Sequence, residues 1–341
     1  MRSQNIRKII ISRTDAIGDV VLTLPLAALL KNTFGNDLKI VFFGRKYTLP
    51  VIQCCEAVDE FLDFDIFQAC TDSEKVRFLK QCEADAIVHI FPRKEIATMA
   101  RKAGIPYRVG TTNRLYHWWT CNKLVRLSRK NSTLHEAELN AHLLKGFPIE
   151  AIPSLVELSF LYKLTRLPVL PEKISSLLNP GVFKLVIHPK SNASAREWSL
   201  ENYSTLIRRL SENKFQIIIT GGTGEEKKIN EWVKTLPSSI VNLAGRLTLD
   251  ELIALLNNAD GIVAASTGPL HLAAALGKYA LGIYPPIRPM DPGRWAPVGI
   301  HAGFLVSEKK CSDCRDSPTT CHCINEISPK AVEDFILKWL H

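Results

Sequence analysis

Residues 8–34, KIIISRTDAIGDVVLTLPLAALLKNTF, contain the first strong pattern of the sequence. The β-branched run at 8–12 predicts a buried strand, and the apolar stretch at 20–34 predicts a helix that follows a short loop. Two further runs, at 38–44 and 85–90, predict strands of the same kind with helical segments between them. Strands that alternate with helices are typical of a parallel sheet covered by helices on both faces.

The second half of the chain repeats this pattern after a proline-rich stretch at 161–181, where we place a domain boundary. A repeat of this kind favours two successive Rossmann-like halves over one long sheet. Strands are predicted at 184–188, 215–220 and 261–265. The predicted domains are an N-terminal one over 1–165, a C-terminal one over 166–327, and a C-terminal helix over 328–341 that could pack back on the N-terminal domain.

The 341-residue chain is 46% apolar and 23% charged, which excludes a largely disordered or fibrous protein and leaves room for two domains. Its 43 Lys and Arg against 34 Asp and Glu give a net charge of +9, so an anionic partner is expected. The sequence shows no secretion signal and no continuous apolar run of roughly 18 to 20 residues. Its nine cysteines are then expected to be reduced thiols, and the protein to be cytoplasmic.

A turn at 266–271, Ser-Thr-Gly-Pro-Leu-His, follows a predicted strand and opens a helix. Free amides at a helix N-terminus favour phosphate, and His271 in the first turn can donate to a phosphate oxygen. The alternative is a tight turn in which Ser266 caps the helix.

Asp19 holds the matching place in the first half, after the first strand. At a helix N-terminus its carboxylate is stabilised in the charged form and is available as a general base, although it also suits a plain N-cap. Open α/β sheets bind ligands at the carboxyl ends of their strands. We therefore expect Asp19 and the turn at 266–271 to face one another across a cleft between the domains, an arrangement that indicates group transfer.

Two other loops follow predicted strands of the second half. The glycine-rich turn at 221–226 ends in Glu225 and Glu226, whose carboxylates suit ribose hydroxyls and a solvated helix start about equally well. The loop at 188–198 carries small hydroxyl residues and two cations, which suit a diphosphate. The alternative for this loop is a polar connection under which Trp198 packs.

Several segments together resemble glycosyltransferase family 9, the ADP-heptose:lipopolysaccharide heptosyltransferases, over essentially the whole chain. They are 13–25, 188–198, 242–245 and 266–277. The resemblance implies an α/β GT-B fold, two Rossmann-like domains facing across a cleft, with the acceptor on the N-terminal domain and the donor mainly on the C-terminal one. It also implies an inverting, metal-independent glycosyltransferase that moves a heptose or related sugar from an ADP-sugar to a lipopolysaccharide core or lipid A-type acceptor, without a cofactor.

The resemblance also implies roles for individual residues, with Asp19 as the general base. The implied donor-binding residues are Lys190, Ser191, Arg196, Glu225, Glu226, Ser266, Thr267, Gly268 and His271. Two positions depart from the family pattern. Ser266 stands where family members usually carry Asp, which leaves the donor sugar open, and Lys190 replaces a glycine, which adds charge near the expected diphosphate.

The positive charge is concentrated at 92–130, which holds ten Lys or Arg against one acid, together with several aromatic residues. This mixture suits an anionic membrane or a phosphorylated glycolipid, and the alternative is a solvated basic face over packed aromatic rings. The expected acceptor- and membrane-facing residues are Arg93, Arg114, Trp118, Trp119, Arg126 and Lys130. The expected partners are an ADP-sugar, an anionic glycolipid and the cytoplasmic face of the inner membrane, for a monomer that binds no nucleic acid.

Two groups of residues have the composition of a metal site: a cluster of C-terminal cysteines and one pair of aspartates. Cys311, Cys314, Cys321 and Cys323 fall within thirteen residues and would permit a zinc site, although cysteines before the last helix also occur in the resembling family without a required metal. Asp63 and Asp65 imitate a metal-binding DxD pair, which we interpret as a solvated strand end.

Three other functions stay open. A nucleic-acid-binding protein fits the net charge of +9 but lacks a motif for that role. A nicotinamide-dependent dehydrogenase would need a GxGxxG loop after the first strand, where 13–19 carries one glycine. A family member that binds an ADP-sugar without transferring it would fit Ser266.

Overall fold

The computed structural model describes residues 6–130, 132–308 and 322–340, and the chain divides into two compact units, Met1–Arg166 and Leu167–His341. Each unit contains a six-stranded parallel sheet with helices between the strands. The predicted α/β fold with two Rossmann-like domains is therefore confirmed.

The first unit begins with the strand predicted from the opening sequence. Its strands are β1 (Lys8–Ser12), β2 (Lys39–Gly44), β3 (Glu60–Asp63), β4 (Ala86–His89), β5 (Tyr107–Thr111) and β6 (Lys123–Val125). Its helices are α1 (Ile17–Val21), α2 (Pro25–Phe34), α3 (Leu49–Cys54), α4 (Phe64–Ala69), α5 (Asp72–Gln81), α6 (Lys94–Lys102), α7 (His117–Thr120), α8 (Glu136–Leu143) and α9 (Leu155–Ser159). The strand order is β3-β2-β1-β4-β5-β6. Ile9, Ile10 and Ile11 are fully buried, as is typical of a central strand covered on both faces.

The second unit repeats this construction. Its strands are β7 (Phe183–His188), β8 (Phe215–Ile219), β9 (Val241–Asn242), β10 (Gly261–Ala265), β11 (Tyr279–Tyr284) and β12 (Ala302–Val306). Its helices are α10 (Glu172–Ser175), α11 (Leu200–Arg209), α12 (Glu226–Val233), α13 (Leu249–Asn258), α14 (Gly268–Ala275), α15 (Pro292–Trp295) and α16 (Pro329–Leu337). The strand order is β12-β11-β10-β7-β8-β9. Its core joins Leu185 and Trp198 to Val332 and Ile336 of the last helix.

The two sheets share one topology. Counted from the first strand of each unit, both have the order 3-2-1-4-5-6, which is that of dinucleotide-binding Rossmann domains. The direction of winding reverses between β1 and β4 in the first sheet and between β7 and β10 in the second. Ligands bind at the carboxyl ends of the strands beside such a switch point. The segment after β1 that carries Asp19 lies at the first switch point, and the turn at 266–271 after β10 lies at the second.

The helix predicted over 20–34 is divided into α1 and α2. The division has a local cause, because the Thr23 hydroxyl donates to the Asp19 carbonyl at 2.8 Å and Pro25 opens α2 without an N–H to donate. Taken together, Ile17–Phe34 is long and apolar enough to cross a bilayer, and 61% of it is buried in the fold. Since a buried core helix meets the same criterion, this is weak evidence for a membrane span.

Candidate active site

Arg13 follows β1 at the switch point of the first unit and is the centre of a polar network. Its side chain is 2% exposed, and three carboxylates surround it. Nε lies 2.7 Å from Asp15 Oδ1, Nη1 lies 3.1 Å from Glu136 Oε1, and Nη2 donates to Asp19 Oδ1. A cation can be buried here because these carboxylates offset the cost of removing it from water.

Asp19 lies in the first turn of α1, with 19% of its side chain exposed. Burial raises its pKa to about 6, the charges of Asp15 and Glu136 act in the same direction, and Arg13 opposes them. The net shift of the Asp19 pKa is upward, so burial disfavours the charged form that the helix end was expected to stabilise. A carboxylate with this pKa is largely ionised at pH 7 and is a stronger base than an ordinary aspartate.

Arg93 follows β4, on the other side of the same switch point. Its Nε donates to Thr14 Oγ1 at 2.6 Å and its Nη2 to the Thr14 carbonyl at 3.2 Å. The guanidinium lies 4.7 Å from the ring centre of Phe64 and 5.1 Å from that of Phe91. Hydrogen bonds and cation–π contacts therefore fix a cation against the loop that carries Asp19.

The other expected acceptor residues follow strands farther along the sheet. Arg114, Trp118 and Trp119 lie between β5 and β6, and Arg126 and Lys130 follow β6; all five are exposed. They share the carboxyl edge of the sheet with Asp19, but β4 separates their strands from β1. The structure thus places Arg93 beside the loop before Asp19, whereas these five residues follow strands farther along the sheet.

In the second unit, α14 begins at Gly268 with Thr267 at its N-cap. The capping role considered for Ser266 is wrong, because Ser266 lies one residue earlier and hydrogen-bonds the Tyr284 side chain. Thr267 is 4% exposed, and its Oγ1 is buried without a hydrogen-bond partner among the described residues. His271, 3% exposed, lies on the first turn of α14, and its backbone N–H donates to the Thr267 carbonyl at 3.3 Å. A buried hydroxyl beside free helix amides suits a phosphate oxygen.

Glu197, which the sequence did not single out, organises the loop after β7. Its Oε1 accepts from Ser191 N at 2.8 Å and from Ser191 Oγ at 3.0 Å, and its Oε2 lies 2.5 Å from Lys190 Nζ. The charge that Lys190 brings to this loop is therefore paired within it. Arg196, one position earlier, is half-buried.

The two ends of the same loop are fixed in the fold. His188 Nδ1 lies 2.9 Å from Thr220 Oγ1, and burial lowers the pKa of His188 to about 4, so its imidazole is neutral at pH 7. Trp198 is 1% exposed, and its indole N–H donates to the Ile327 carbonyl at 3.0 Å. The packing considered for Trp198 in the polar-loop alternative is therefore present, together with an ordered loop above it.

The carboxylates of the glycine-rich turn bind backbone amides. Glu225 Oε1 accepts from Asn192 N at 2.6 Å and so joins this turn to the loop after β7, while Glu226 Oε2 accepts from Gly224 N. Gly245 has φ +71°, and a Cβ there would lie 2.7 Å from Glu226 Cβ. Only glycine fits both the backbone conformation and the space at that position.

Among the described residues, no group of three or more His, Cys, Asp or Glu side chains is arranged to hold a metal ion. Of the four C-terminal cysteines, Cys323 is buried, while Cys311, Cys314 and Cys321 lie outside the described residues. Both carboxylates of the DxD-like pair make local contacts: Asp63 caps α4, and Asp65 forms an ion pair with Arg45 at 2.8 Å.

Comparisons with known proteins agree with this architecture. Residues 76–325 match the model of glycosyltransferase family 9 (heptosyltransferase), which is more than half of the chain. A Haemophilus influenzae protein that carries only a provisional glycosyltransferase name is 28% identical over 306 residues, covering 85% of this chain and 86% of its own.

Two solved structures share the fold over nearly the full length. The glycosyl transferase family 9 protein of Veillonella parvula has a TM-score of 0.80 at 16% identity and covers 99% of both chains. The ADP-heptose LPS heptosyltransferase II of E. coli has a TM-score of 0.75 at 18% identity and covers 98% of both chains. With the fold and the family profile in agreement, the chain belongs to glycosyltransferase family 9, the heptosyltransferase-like glycosyltransferases.

Proposed function

We propose that this protein is an inverting, metal-independent glycosyltransferase that moves a heptose or related sugar from an ADP-sugar to a lipopolysaccharide core or lipid A-type acceptor, with Asp19 as the general base. The observation that carries the proposal is the half-buried Asp19 carboxylate, which accepts from Arg13 at the switch point and whose pKa is raised to about 6. A base in that range gains driving force for proton transfer while it stays ionised at neutral pH. The name of the E. coli structure supports the donor and acceptor.

In the reaction, Asp19 takes the proton of an acceptor hydroxyl as that oxygen forms a bond to the anomeric carbon. The bond between this carbon and the β-phosphate oxygen breaks, its electron pair stays on the phosphate, and ADP leaves. The amides that open α14, the Thr267 hydroxyl, His271 and Arg196 stabilise the developing negative charge. We expect Arg93, which binds Thr14 in the loop before Asp19, to bind an anionic group of the acceptor.

The second unit supplies the donor site on this proposal. Ser191 is fixed by Glu197 and lines the diphosphate loop, while Glu225 and Glu226 lie at the turn expected for the ribose. Because both glutamates accept backbone hydrogen bonds in the structure, ribose hydroxyls would share these carboxylates with the amides. Ser266 lacks the carboxylate that resembling proteins carry, so we propose that it sets the preference among ADP-sugars.

The test is transfer of labelled sugar to a deacylated lipopolysaccharide core, with ADP-, UDP- and GDP-sugars as donors and with EDTA present. We expect ADP-heptose or a close ADP-sugar to be used, with turnover unchanged by EDTA. Transfer from UDP- or GDP-sugars alone would contradict the donor, and loss of turnover in EDTA that Mg²⁺ restores would contradict the metal-independent mechanism.

We also propose that the protein works as a monomer on the cytoplasmic face of the inner membrane, through the surface of α7. Leu115, Trp118 and Trp119 are 78%, 60% and 55% exposed, and Arg114 beside them is exposed as well. Aromatic side chains flanked by cations suit the interface of an anionic bilayer. Arg108 does not contribute to this surface, because it donates to the carbonyls of Thr120 and Ile105.

Vesicle sedimentation tests this surface. The double variant Trp118→Ser/Trp119→Ser should lose binding to vesicles that contain phosphatidylglycerol, since it removes the apolar part of the contact. Phe160→Ser is the matched control, because Phe160 is 63% exposed but lies outside α7, after α9. Equal binding by both variants and the wild-type protein would contradict a role for α7.

A further inference from the structure

Helix α8 contacts the Asp19 loop through two residues that neither the sequence motifs nor the proposed mechanism includes. Glu136 and Asn140 lie one turn apart, are 2% and 0% exposed, and both bind Arg13. Arg13 Nη1 lies 3.1 Å from Glu136 Oε1 and 3.1 Å from Asn140 Oδ1. Since Arg13 Nη2 also donates to Asp19, a single guanidinium connects α8 to the proposed base.

A second connection runs through Thr23. The Asn140 side-chain amide donates to Thr23 Oγ1 at 3.2 Å and to the Leu22 carbonyl at 3.3 Å, and Thr23 Oγ1 donates to the Asp19 carbonyl at 2.8 Å. Asn140 therefore reaches the backbone of Asp19, while Glu136 reaches its carboxylate through Arg13. Both routes end on the same residue.

We propose that Glu136 and Asn140 are positioning residues that, through Arg13 and Thr23, orient Asp19 and set its basicity. The inference rests on the proposed role of Asp19 as general base. Neither residue has to touch a substrate, because their effect is carried by hydrogen bonds within the first unit. A buried hydrogen-bonded network of this kind restricts the geometry of its members.

Charge explains why Glu136 affects the basicity of Asp19 as well as its orientation. The carboxylates of Asp15, Asp19 and Glu136 face the guanidinium of Arg13, and Arg129 Nε lies 3.0 Å from the same Glu136 Oε1 that Arg13 binds. Three negative charges against two positive ones leave a net charge of −1 in a largely buried network, so proton binding is favoured.

Two further ionisable groups border this network. The Tyr47 hydroxyl donates to the Asp15 carbonyl, and Arg93 binds Thr14. Neither hydrogen-bonds the Asp19 carboxylate, so we expect the balance between Glu136 and Arg13 to dominate.

The pH dependence of kcat/KM tests the inference. Glu136→Gln keeps the side-chain shape and an acceptor for Arg13 but removes one negative charge, so the acidic limb should move to lower pH by about one unit, with KM for the donor unchanged. Glu60→Gln is the matched control, because Glu60 is ion-paired to Lys8 on the surface of the same unit. An acidic limb at the wild-type position in Glu136→Gln would overturn the inference.

Arg129→Gln provides a test with the opposite sign at a side chain that is 26% exposed and that contacts both Glu136 and Asn140. Without Arg129, Glu136 draws more strongly on Arg13, which leaves Asp19 less neutralised, so the acidic limb should move to higher pH. A shift in the same direction as that of Glu136→Gln, or no shift, would contradict the inference.

Asp19→Asn, measured alongside, separates this inference from the proposed function. If Asp19→Asn keeps full activity, the base role fails and the positioning role fails with it. If Asp19→Asn is inactive while the acidic limb of kcat/KM is unmoved in both Glu136→Gln and Arg129→Gln, only the positioning role fails. An NMR titration of the Asp19 carboxyl carbon in the wild-type protein and Glu136→Gln should show the same shift to lower pH without relying on turnover.

Discussion

The two switch points of this protein share a strand topology and differ in chemistry. At the first, between β1 and β4, a buried guanidinium holds three carboxylates. The second, between β7 and β10, has a neutral His188, a buried Thr267 hydroxyl and the amides that open α14. The charge of Lys190 in this region is paired with Glu197. The backbone provides the same location twice, and the side chains decide whether it presents a base or an anion site.

The contrast shows that the Rossmann topology predicts where a ligand binds but not which ligand binds there. A base needs burial and neighbouring negative charge to raise its proton affinity, as Asp19 has. An anion site needs unpaired donors, such as the Thr267 hydroxyl at the start of α14. Each predicted change below alters one of the two switch points and leaves the other intact.

Asp19→Asn should have the largest effect, a loss of about 10²- to 10⁴-fold in kcat, because it removes the proposed general base while conserving shape. ADP affinity should stay near that of the wild-type protein, since the change lies at the first switch point only. Asp15→Asn is the comparison variant: it also removes a carboxylate from Arg13 but should lose less activity. Equal losses in the two variants, measured by single-turnover kinetics, would mean that Asp19 is not distinguished from its neighbour.

Thr267→Val should weaken ADP binding by about tenfold, the value of one hydrogen bond to a charged oxygen. The melting temperature should not fall, because the hydroxyl that is lost has no partner among the described residues. Isothermal titration with ADP and thermal unfolding measure the two quantities. Thr205→Val, at an exposed site on α11, is the control, and an unchanged ADP affinity in Thr267→Val would remove Thr267 from the anion site.

A smaller effect is expected in the dependence of stability on pH. His89, fully buried at the end of β4, has its pKa lowered from 6.5 to about 3 by burial, and its neighbour His117 to about 4. Because these folded-state pKa values lie below the unfolded one, the stabilisation is fully present above pH 6.5 and is lost as the pH falls towards them. At pH 5, His89 alone should cost about 2 kcal/mol of unfolding free energy relative to pH 7.

His89→Leu should remove that cost, because leucine does not titrate and neither ring nitrogen of His89 has a partner among the described residues. Urea unfolding at pH 7 and pH 5 measures it in both proteins. The raised pKa of Asp19 acts in the opposite direction on acidification, but it is common to the two proteins and cancels in their difference. An identical loss of stability in the wild-type protein and His89→Leu would contradict the prediction.

The sequence predicted the three strands around each switch point and missed the outer strands, including β5, β11 and β12 as well as the shortest ones. The strand predicted at 261–265 matches β10 in full, and the strand predicted at 184–188 lies within β7. Strands β3, β6 and β9 have four, three and two residues and lie at or near the sheet edges, where too few residues alternate to form a pattern.

The candidate site was only partly predictable for a different reason. Its motif residues are local in sequence, whereas the residues that control them are not: Glu136 lies 123 positions from Arg13, and nothing in the sequence links them. Glu197 lies inside a predicted loop and could have been found as the acid beside Lys190 and Arg196. The sign of the Asp19 pKa shift required knowledge of burial, which no local pattern contains.

The packing of α16 has a consequence for how the protein is made. The loop after β7 is joined to the segment just before α16: the Trp198 indole N–H donates to the Ile327 carbonyl, and Ser199 N donates to Asn325 Oδ1 at 2.8 Å. Helix α16 itself packs on α11. On the ribosome, the first unit can close once its 166 residues have emerged, whereas the second cannot complete its core until α16 has been synthesised. The unit that carries Asp19 can therefore fold before the unit that carries the turn at 266–271.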